Sequence, residues 1–296
     1  MKKVLLLLVA AAVIVVGGSG HVPAAMANAG DSADVRIENA SATVAPEMEP
    51  MTAGNGTPIE MVQPEAEPEA TPEPTPEPTP EPTPEGRQID PDKPMVALTF
   101  DDGPCDNTDR LLDIFAEHGG KCTLFMLGQA MDYYADTLVR ATEEGHEVAS
   151  HSWYHPELTT LDYQGITDQL EDTRDKIFEI TGKDAKLMRP PYGSTDDRVV
   201  AVAEHEGISL IKWSVDTMDW ATLNADAVYE SVMSEAYDGA IILCHDLHRT
   251  TVDAMERAVP DLIEAGYQLV TVTELITARG GEVVAGMTYH DQTEYY

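Results

Sequence analysis

The clearest deficit of this sequence is positive charge. Its 296 residues include only 18 Lys and Arg against 53 Asp and Glu, a formal net charge of −35. A nucleic-acid partner requires a basic face, and docking on anionic lipid through side chains requires a basic patch. The charge balance therefore excludes both kinds of partner. A hydrophobic content of 43% excludes a wholly disordered chain.

Cysteines and long apolar runs are also scarce. The chain has 3 cysteines, an odd number, so at least one of them has no disulfide partner within a monomer. Two lysines precede an apolar run at 4–16, and an Ala-x-Ala pattern follows at 25–29. This run is shorter than the roughly 20 residues that span a bilayer. We therefore expect 1–29 to be a secretory signal peptide, with an uncleaved N-terminal anchor as the alternative.

Residues 30–90 contain most of the proline and no convincing apolar periodicity. Thirteen of the 20 prolines precede residue 91, many of them in a Thr-Pro-Glu-Pro repeat. Proline at every second position removes helix and sheet hydrogen bonds, and glutamate repulsion favours an extended chain. We expect 30–90 to be a disordered acidic linker rich in Pro, Glu and Thr. Residues 91–296 are then numerous enough to form one domain with a sizeable core.

Within 91–296, apolar segments alternate with amphipathic segments that mostly end at a glycine. The predicted strands cover 95–100, 122–127, 146–150, 209–215, 240–244 and 268–272. The predicted helices cover 107–118, 131–144, 163–181, 195–206, 225–236 and 251–265. This alternation predicts a parallel α/β fold, either a barrel or a doubly wound sheet. In both folds ligands bind beyond the carboxyl ends of the strands.

Groups suited to metal binding follow the first and third predicted strands. Asp101 and Asp102 come directly after the first strand, where adjacent side chains point in different directions. One carboxylate can therefore bind a metal while the other accepts a proton. His151 and His155 follow the third strand, and this spacing places two imidazoles on one face if the segment is helical. Asp102 with the two histidines would leave coordination positions for water and substrate, as catalytic zinc sites do.

The ends of the later strands carry further polar and aromatic residues. Arg189 and Tyr192 flank a Pro-Pro turn, and the arginine can pair with a carboxylate and hold it ionised. The segment 216–220 contains two aspartates and a tryptophan, and His245 follows closely after Leu243. Tryptophan beside carboxylates fits sugar stacking, although core packing is its commoner use. Signals at five successive strand ends together indicate one active site.

These segments resemble the polysaccharide deacetylases of carbohydrate esterase family 4, which have the NodB-type domain. The matching blocks are 99–104, 151–155, 189–193, 216–220 and 243–245. The resemblance implies an α/β fold of the distorted (β/α)7 barrel type rather than a doubly wound sheet. It implies a metal-dependent hydrolase that removes N-acetyl groups from N-acetylglucosamine residues of a cell-wall polysaccharide, above all peptidoglycan, and releases acetate.

The resemblance also implies a role for each site residue. Asp101 would be the general base held by Arg189, and His245 the general acid, its pKa raised by Asp219, with Asp216 as the second choice. The metal ligands would be Asp102, His151 and His155, binding Zn²⁺ or a similar ion such as Co²⁺. Tyr192 would contribute its backbone N–H to the oxyanion, and Trp220 and Leu243 would line the acetyl pocket.

Several alternatives stay open at this point. An O-acetyl esterase acting on xylan or another acetylated glycan would use the same residues, and a non-catalytic glycan-binding wall protein is a third possibility. We expect a secreted or extracytoplasmic, wall-associated monomer that binds an acetylated glycan and contacts a membrane only if 1–29 stays uncleaved. A Cys105–Cys244 disulfide is one hypothesis beside three free thiols, Cys122 included. The segment 283–296 gives no readable signal.

Overall fold

The computed structural model describes residues 88–292. The predictions of a signal peptide or anchor at 1–29 and of a linker at 30–90 therefore lie outside the described residues, apart from the last three linker positions. Within 88–292, no helix has both the length and the apolarity needed to cross a membrane.

Strands and helices alternate through the described residues. The strands are β1 (Met95–Asp101), β2 (Thr123–Met126), β3 (Glu147–Ser150), β4 (Leu187–Met188), β5 (Ser209–Ile211), β6 (Val215–Asp216), β7 (Ala240–His245), β8 (Gln268–Leu269) and β9 (Thr288–Tyr289). The α-helices are α1 (Thr108–His118), α2 (Ala135–Glu143), α3 (Tyr163–Thr181), α4 (Asp197–His205), α5 (Asp219–Thr222), α6 (Ala225–Glu235), α7 (Arg249–Glu264) and α8 (Val272–Thr277). Three 3-10 helices lie at Gly128–Tyr134, Leu158–Thr160 and Pro191–Gly193.

The strands of residues 88–292 form one curled sheet in the order β6-β7-β1-β2-β3-β4-β5-β9, with β8 paired to β1. All pairs between these strands are parallel. Strands β1 to β7 therefore follow one another around the sheet, and the pairing of β7 with β1 continues the series. The break lies between β5 and β6. This arrangement confirms the predicted α/β fold, a distorted (β/α)7 barrel.

The central strand β1 is buried on both faces, as its apolar run predicts. Val96, Leu98 and Phe100 belong to the core that includes residues of α1 and α7. Met95 and Ala97 belong to a second core on the other face of the sheet. Because side chains alternate along a strand, Asp101 points to the same face as Ala97. The sequence thus sends a carboxylate to the inner face at the carboxyl end of the strand.

The prediction of one strand over 209–215 is wrong, because the chain changes its pairing partner in the middle of this run. The N–H of Lys212 donates to Tyr289 O at 2.7 Å, whereas the N–H of Ser214 donates to Ile241 O at 3.0 Å. The segment therefore leaves the β9 side of the sheet and joins β7. Strands β5 and β6 border the break in the barrel on opposite sides.

The C-terminal segment, which gave no sequence signal, lies at this break. Strand β9 pairs with β5, and Asp291 forms an antiparallel bridge with Ala240 at the start of β7. Tyr289 is buried and its hydroxyl donates to Glu282 O at 2.8 Å. The Gln292 side-chain amide donates to a backbone carbonyl of α8. The segment thus connects the two borders of the barrel.

Candidate active site

The general base and general acid predicted from the sequence are neighbours in the sheet. The register of β1 with β7 pairs Asp101 with His245, and the register of β1 with β2 pairs Asp101 with Phe125. Neighbouring strands lie about 4.8 Å apart, so this register fixes the two functional backbones side by side. A slip of one residue would turn either side chain to the opposite face.

The three predicted metal ligands converge beside Asp101. Asp102 Oδ1 lies 3.5 Å from Nε2 of His151 and 3.5 Å from Nε2 of His155. One ligand atom from each residue lies within 4.8 Å of the others. Asp102 Oδ1 is buried and has no hydrogen-bond partner in residues 88–292. A buried carboxylate oxygen without a partner is unfavourable, and a divalent cation at this point would satisfy it.

A hydrogen bond at Nδ1 of His151 leaves its Nε2 available as a metal ligand. Its Nδ1 lies 2.7 Å from Arg189 O, and a carbonyl only accepts, so Nδ1 carries the proton and Nε2 keeps its lone pair. Burial lowers the pKa of His151 to about 3, which keeps the imidazole neutral. One carboxylate and two imidazoles are a donor set that suits Zn²⁺ and related divalent ions. The residues present therefore fit such a metal.

His151 and His155 do not share a face of a helix, because the segment that contains them is not helical. They lie in the loop after β3, where the backbone turns through φ values of 69° at Ser152 and 62° at His155. Asp102 has a φ of 70° as well. Positive φ is uncommon for residues other than glycine, so these backbones are held by their surroundings. Gln169 of α3 accepts two backbone N–H groups of the histidine loop.

The predicted base Asp101 is paired with a completely buried arginine. Arg189 Nη1 donates to Asp101 Oδ1 at 2.7 Å and to Thr99 Oγ1 at 2.7 Å. The guanidinium lies 4.2 Å from the centre of the Phe125 ring. Burial raises the pKa of Asp101, and the charge and hydrogen bond of Arg189 oppose that rise. Asp101 Oδ2 lies 3.7 Å from His151 Nε2, so the second oxygen faces the predicted metal ligands.

The predicted acid His245 is hydrogen-bonded to Asp219. The His245 ring Nδ1 lies 2.8 Å from Asp219 Oδ1, and the His245 backbone N–H donates to Asp219 Oδ2 at 2.7 Å. Thr251 Oγ1 donates to the same Oδ2 at 2.7 Å. Burial lowers the pKa of His245, but the hydrogen bond and charge of Asp219 outweigh it, and the net pKa lies above the ordinary value. Asp216 instead accepts the N–H of Met218 at 2.9 Å, so Asp219 and not Asp216 is the carboxylate partner of His245.

A pocket of about 460 Å³ unites these groups. It is lined by Asp101, Asp102, His151, His155, Pro190, Tyr192, Trp213, Asp216, Trp220, Leu243 and His245. Eight of the ten residues predicted for the site are in this lining, while Arg189 and Asp219 lie buried against two of them. Tyr192 and Trp220 are both more than half exposed, which leaves their rings available for sugar stacking. The volume is within the usual range for small-ligand pockets.

Sequence reasoning missed several supporting residues. Thr99 could have been found, because it precedes Asp101 by two positions and so shares its strand face. Thr251 gave no signal, since it reaches Asp219 from the start of α7, 32 positions away in the chain. The structure also adds Trp213 to the pocket wall.

The three cysteines are free thiols, so the structure contains no Cys105–Cys244 disulfide. Cys122 and Cys244 are fully buried, and burial raises the pKa of both thiols well above the ordinary value. Buried thiols of high pKa are unreactive. None of the three is in the wall of the pocket.

Known proteins resemble this chain in sequence. The profile of the family described as polysaccharide deacetylase matches residues 88–211. Peptidoglycan-N-acetylmuramic acid deacetylase PdaC of Bacillus subtilis is 41% identical over 188 residues, which are 63% of this chain and 40% of PdaC. Peptidoglycan-N-acetylglucosamine deacetylase PgdA of Listeria monocytogenes is 41% identical over 200 residues, 67% of this chain and 42% of PgdA. The chain spans about two fifths of the length of these curated relatives.

Solved structures extend the likeness to the fold. The structure of PdaC from Bacillus subtilis has a TM-score of 0.61 at 41% identity, covering 63% of this chain and 92% of the solved chain. A family 4 acetyl xylan esterase from Clostridium thermocellum, in complex with a cobalt ion, has a TM-score of 0.64 at 29% identity, covering 67% and 99%. Both structures support the barrel described above.

Proposed function

Because the chain belongs to the polysaccharide deacetylase family, carbohydrate esterase family 4, as its five sequence blocks predict, we propose that it is a metal-dependent peptidoglycan deacetylase. It removes N-acetyl groups from N-acetylglucosamine residues and releases acetate. The observation that carries this proposal is the convergence of Asp102, His151 and His155 in one pocket with a base and an acid. The names of PdaC and PgdA support a peptidoglycan substrate for this chain.

We also propose that the sugar that loses its acetyl group is N-acetylglucosamine and not N-acetylmuramic acid. N-acetylmuramic acid carries a lactyl ether on O3, beside the reacting acetamide. The pocket wall includes the carboxylates of Asp101, Asp102 and Asp216 and, in residues 88–292, no Lys or Arg. It therefore offers a lactyl carboxylate no Lys or Arg, and its protonated His245 is already engaged with Asp219, whereas the uncharged O3 hydroxyl of N-acetylglucosamine needs no cation.

In the proposed reaction, the metal site supplies electrophilic chemistry. A divalent ion, Zn²⁺ in the first instance, would be held by Asp102, His151 and His155, where it polarises a carbonyl and acidifies water. Asp101 Oδ2 accepts a proton from the water molecule that attacks the acetyl carbonyl carbon. Arg189 donates a hydrogen bond to Asp101 Oδ1, which orients the carboxylate and leaves Oδ2 available to accept the proton. The N–H of Tyr192 donates to the carbonyl oxygen as negative charge develops there.

The second half of the reaction breaks the C–N bond. His245 gives its Nε2 proton to the sugar nitrogen as that bond breaks, so acetate leaves and a free amine stays on the glycan. Asp219 holds Nδ1 and stabilises the protonated ring before the transfer. Trp220 and Leu243 enclose the acetyl methyl group.

The direct test is acetate release from purified peptidoglycan, measured together with the metal content of the protein. We expect release that chelation abolishes and that added Zn²⁺ or Co²⁺ restores. N-acetylglucosamine oligomers and peptidoglycan with modified muramic acid separate the two sugars. A metal-loaded protein that releases no acetate from any of these glycans would overturn the proposal and favour a glycan-binding protein without activity.

The similarity to an acetyl xylan esterase supports a second candidate, O-deacetylation of xylan or another acetylated glycan. The same base and metal ligands serve ester hydrolysis, in which the leaving group is a sugar alkoxide instead of an amine. Acetylxylan in the same assay separates the two. Faster release from acetylxylan than from N-acetylglucosamine oligomers would favour the esterase.

We further propose an extracytoplasmic, wall-associated monomer that does not bind nucleic acid, with 1–29 as signal or anchor and 30–90 as spacer. The signal-like residues and the Pro-Glu repeat support this location. Cell fractionation with an antibody to the chain tests it, and light scattering of the purified protein tests the monomer. Recovery in the cytosol would contradict the proposed location.

A further inference from the structure

A carboxyl group that the proposed reaction does not use lies directly behind the site. Asp246 follows the general acid His245 and is completely buried. Its Oδ2 accepts a hydrogen bond from Thr108 Oγ1 at 2.5 Å, while its Oδ1 has no hydrogen-bond partner in residues 88–292. Burial of a carboxyl group with an unsatisfied oxygen opposes folding. Stability alone therefore does not explain an aspartate at this position.

The unsatisfied oxygen of Asp246 lies against the loop that carries the metal ligand Asp102. A Cβ atom on Gly103, the next residue, would be 2.8 Å from Asp246 Oδ1 and 2.9 Å from the methyl carbon of Met126. Real Cβ atoms essentially never come so close. The loop can lie on Asp246 because residue 103 has no side chain.

Two further contacts join the same parts of the chain. Asn107 Nδ2 donates to the backbone carbonyls of Asp246 at 3.1 Å and of Leu247 at 3.2 Å. Thr108 Oγ1, which donates to Asp246, also accepts the N–H of Cys105 at 2.9 Å. The loop from β1 to α1 is thus tied to the loop from β7 to α7 through side chains of both. One loop begins with Asp102 and the other follows His245.

We propose that Asp246 is a positioning residue that fixes the loop of the metal ligand Asp102 relative to the general acid His245. The inference rests on the proposed function, because it concerns the metal ligand and the acid of that reaction. Asp102 is the one ligand of the predicted set on the β1 side, so a shift of its loop changes the metal geometry without touching either histidine. Displacements well below 1 Å at such groups reduce both metal binding and catalysis.

The experiment compares two threonine–aspartate hydrogen bonds that involve α1, the buried bond of Thr108 to Asp246 and the partly buried bond of Thr137 to Asp109. Thr108→Val removes the donor to Asp246, and Thr137→Val removes the donor to Asp109, a 2.9 Å bond between α2 and α1 outside the pocket wall. Metal-free proteins are titrated with Co²⁺, and affinity and the visible absorption spectrum are recorded. The kcat for acetate release is measured on the same preparations.

We expect Thr108→Val and Asp246→Ala to weaken Co²⁺ binding about tenfold, the lower end for residues outside the ligand sphere. Their Co²⁺ spectra should change and kcat should fall more than KM rises. Asp246→Asn keeps the shape and an acceptor oxygen, so it should restore most of the affinity. Thr137→Val should match the wild type in all three measurements.

Wild-type Co²⁺ affinity, spectrum and kcat in Thr108→Val would overturn the proposal, and so would equal losses in Thr137→Val. If Asp246→Ala does not fold, the variant Gly103→Ala is used instead. The added methyl group displaces the loop of Asp102, while the Asp246 side chain is kept. Unchanged Co²⁺ binding in Gly103→Ala would also contradict the proposal. A wild-type protein that neither binds Co²⁺ nor releases acetate would overturn the proposed function itself, a result distinct from normal binding in all variants.

Discussion

Replacement of Asp219 by Asn should move the pH dependence of the proposed reaction in a defined direction. A general acid must be protonated, so kcat/KM falls as the pH rises through the pKa of His245. The Asp219 carboxylate lies 2.8 Å from the ring of His245 and keeps that pKa above its ordinary value. Loss of its charge therefore lowers the pKa, and the basic limb of the profile moves to lower pH.

The size of the shift follows from the surroundings of the pair. A carboxylate in contact with an imidazole favours the protonated ring, and a hydrogen bond to a charged group contributes about 1.5–3 kcal/mol. The Asp219 side chain is fully buried, but 13% of the His245 side chain is exposed to solvent, which screens the interaction. We therefore expect the lower half of that range, about 1.5–2 kcal/mol, which corresponds to a loss of about 10- to 30-fold in kcat/KM on the basic side of the profile.

The assay is kcat/KM for acetate release from N-acetylglucosamine oligomers, measured over the pH range in which each protein stays folded by circular dichroism. Asp216→Asn is the matched control, because that carboxylate lines the same pocket yet bonds Met218 rather than His245. Its basic limb should stay near that of the wild type. If the limb of Asp219→Asn coincides with the wild type, or the control shifts equally, His245 is not the acid that Asp219 tunes.

Three further predictions concern single residues. Asp101→Asn should abolish turnover and retain bound metal, whereas His155→Ala should lose both, as measured by acetate release and elemental analysis; metal loss in Asp101→Asn would contradict a base role. Arg189→Met leaves a buried carboxylate unpaired and should lower the free energy of unfolding in urea by about 3–5 kcal/mol, and an unchanged midpoint would count against the pair. Tyr289→Ala should lower it by about 3–5 kcal/mol, because the ring is buried at the break of the barrel. As a control, Tyr163→Ala replaces an exposed tyrosine and should change the free energy of unfolding by less than about 0.5 kcal/mol. Equal losses of stability in Tyr289→Ala and Tyr163→Ala would refute a stabilising role for β9.

The site could be predicted largely because its residues follow strands. Parallel strands bring their carboxyl ends to one edge, so the side chains after β1, β3, β4, β6 and β7 had to meet wherever the strands paired. Asp101 and His245 are 144 positions apart, and no local pattern shows that they are partners in the register. The family resemblance assigned both residues to one active site, and only the β1–β7 register shows that they are neighbours in the sheet.

What escaped prediction depends on contacts between distant segments or on unusual backbone conformations. Lys212 and Ser214 lie in a run that looks like one strand, and only the position of β7 and β9 shows that the partner changes there. The short strand β9 has two residues, too few for a periodic pattern. His155 joins the other predicted metal ligands because its backbone is left-handed, a conformation that its spacing from His151 does not predict.

The groups that would move protons and the groups that would hold the metal are therefore fixed by different kinds of structure. Asp101 and His245 belong to strands, so the hydrogen bonds of the β1–β7 ladder set the separation of base and acid. Asp102 and His155 lie just beyond strands at left-handed positions, where neighbouring side chains and not a ladder hold the backbone. A parallel register changes only by whole residues, whereas a loop can shift by tenths of an ångström. Substitutions behind the loops should thus alter metal affinity in small steps, while substitutions that disturb the β1–β7 ladder should remove activity altogether.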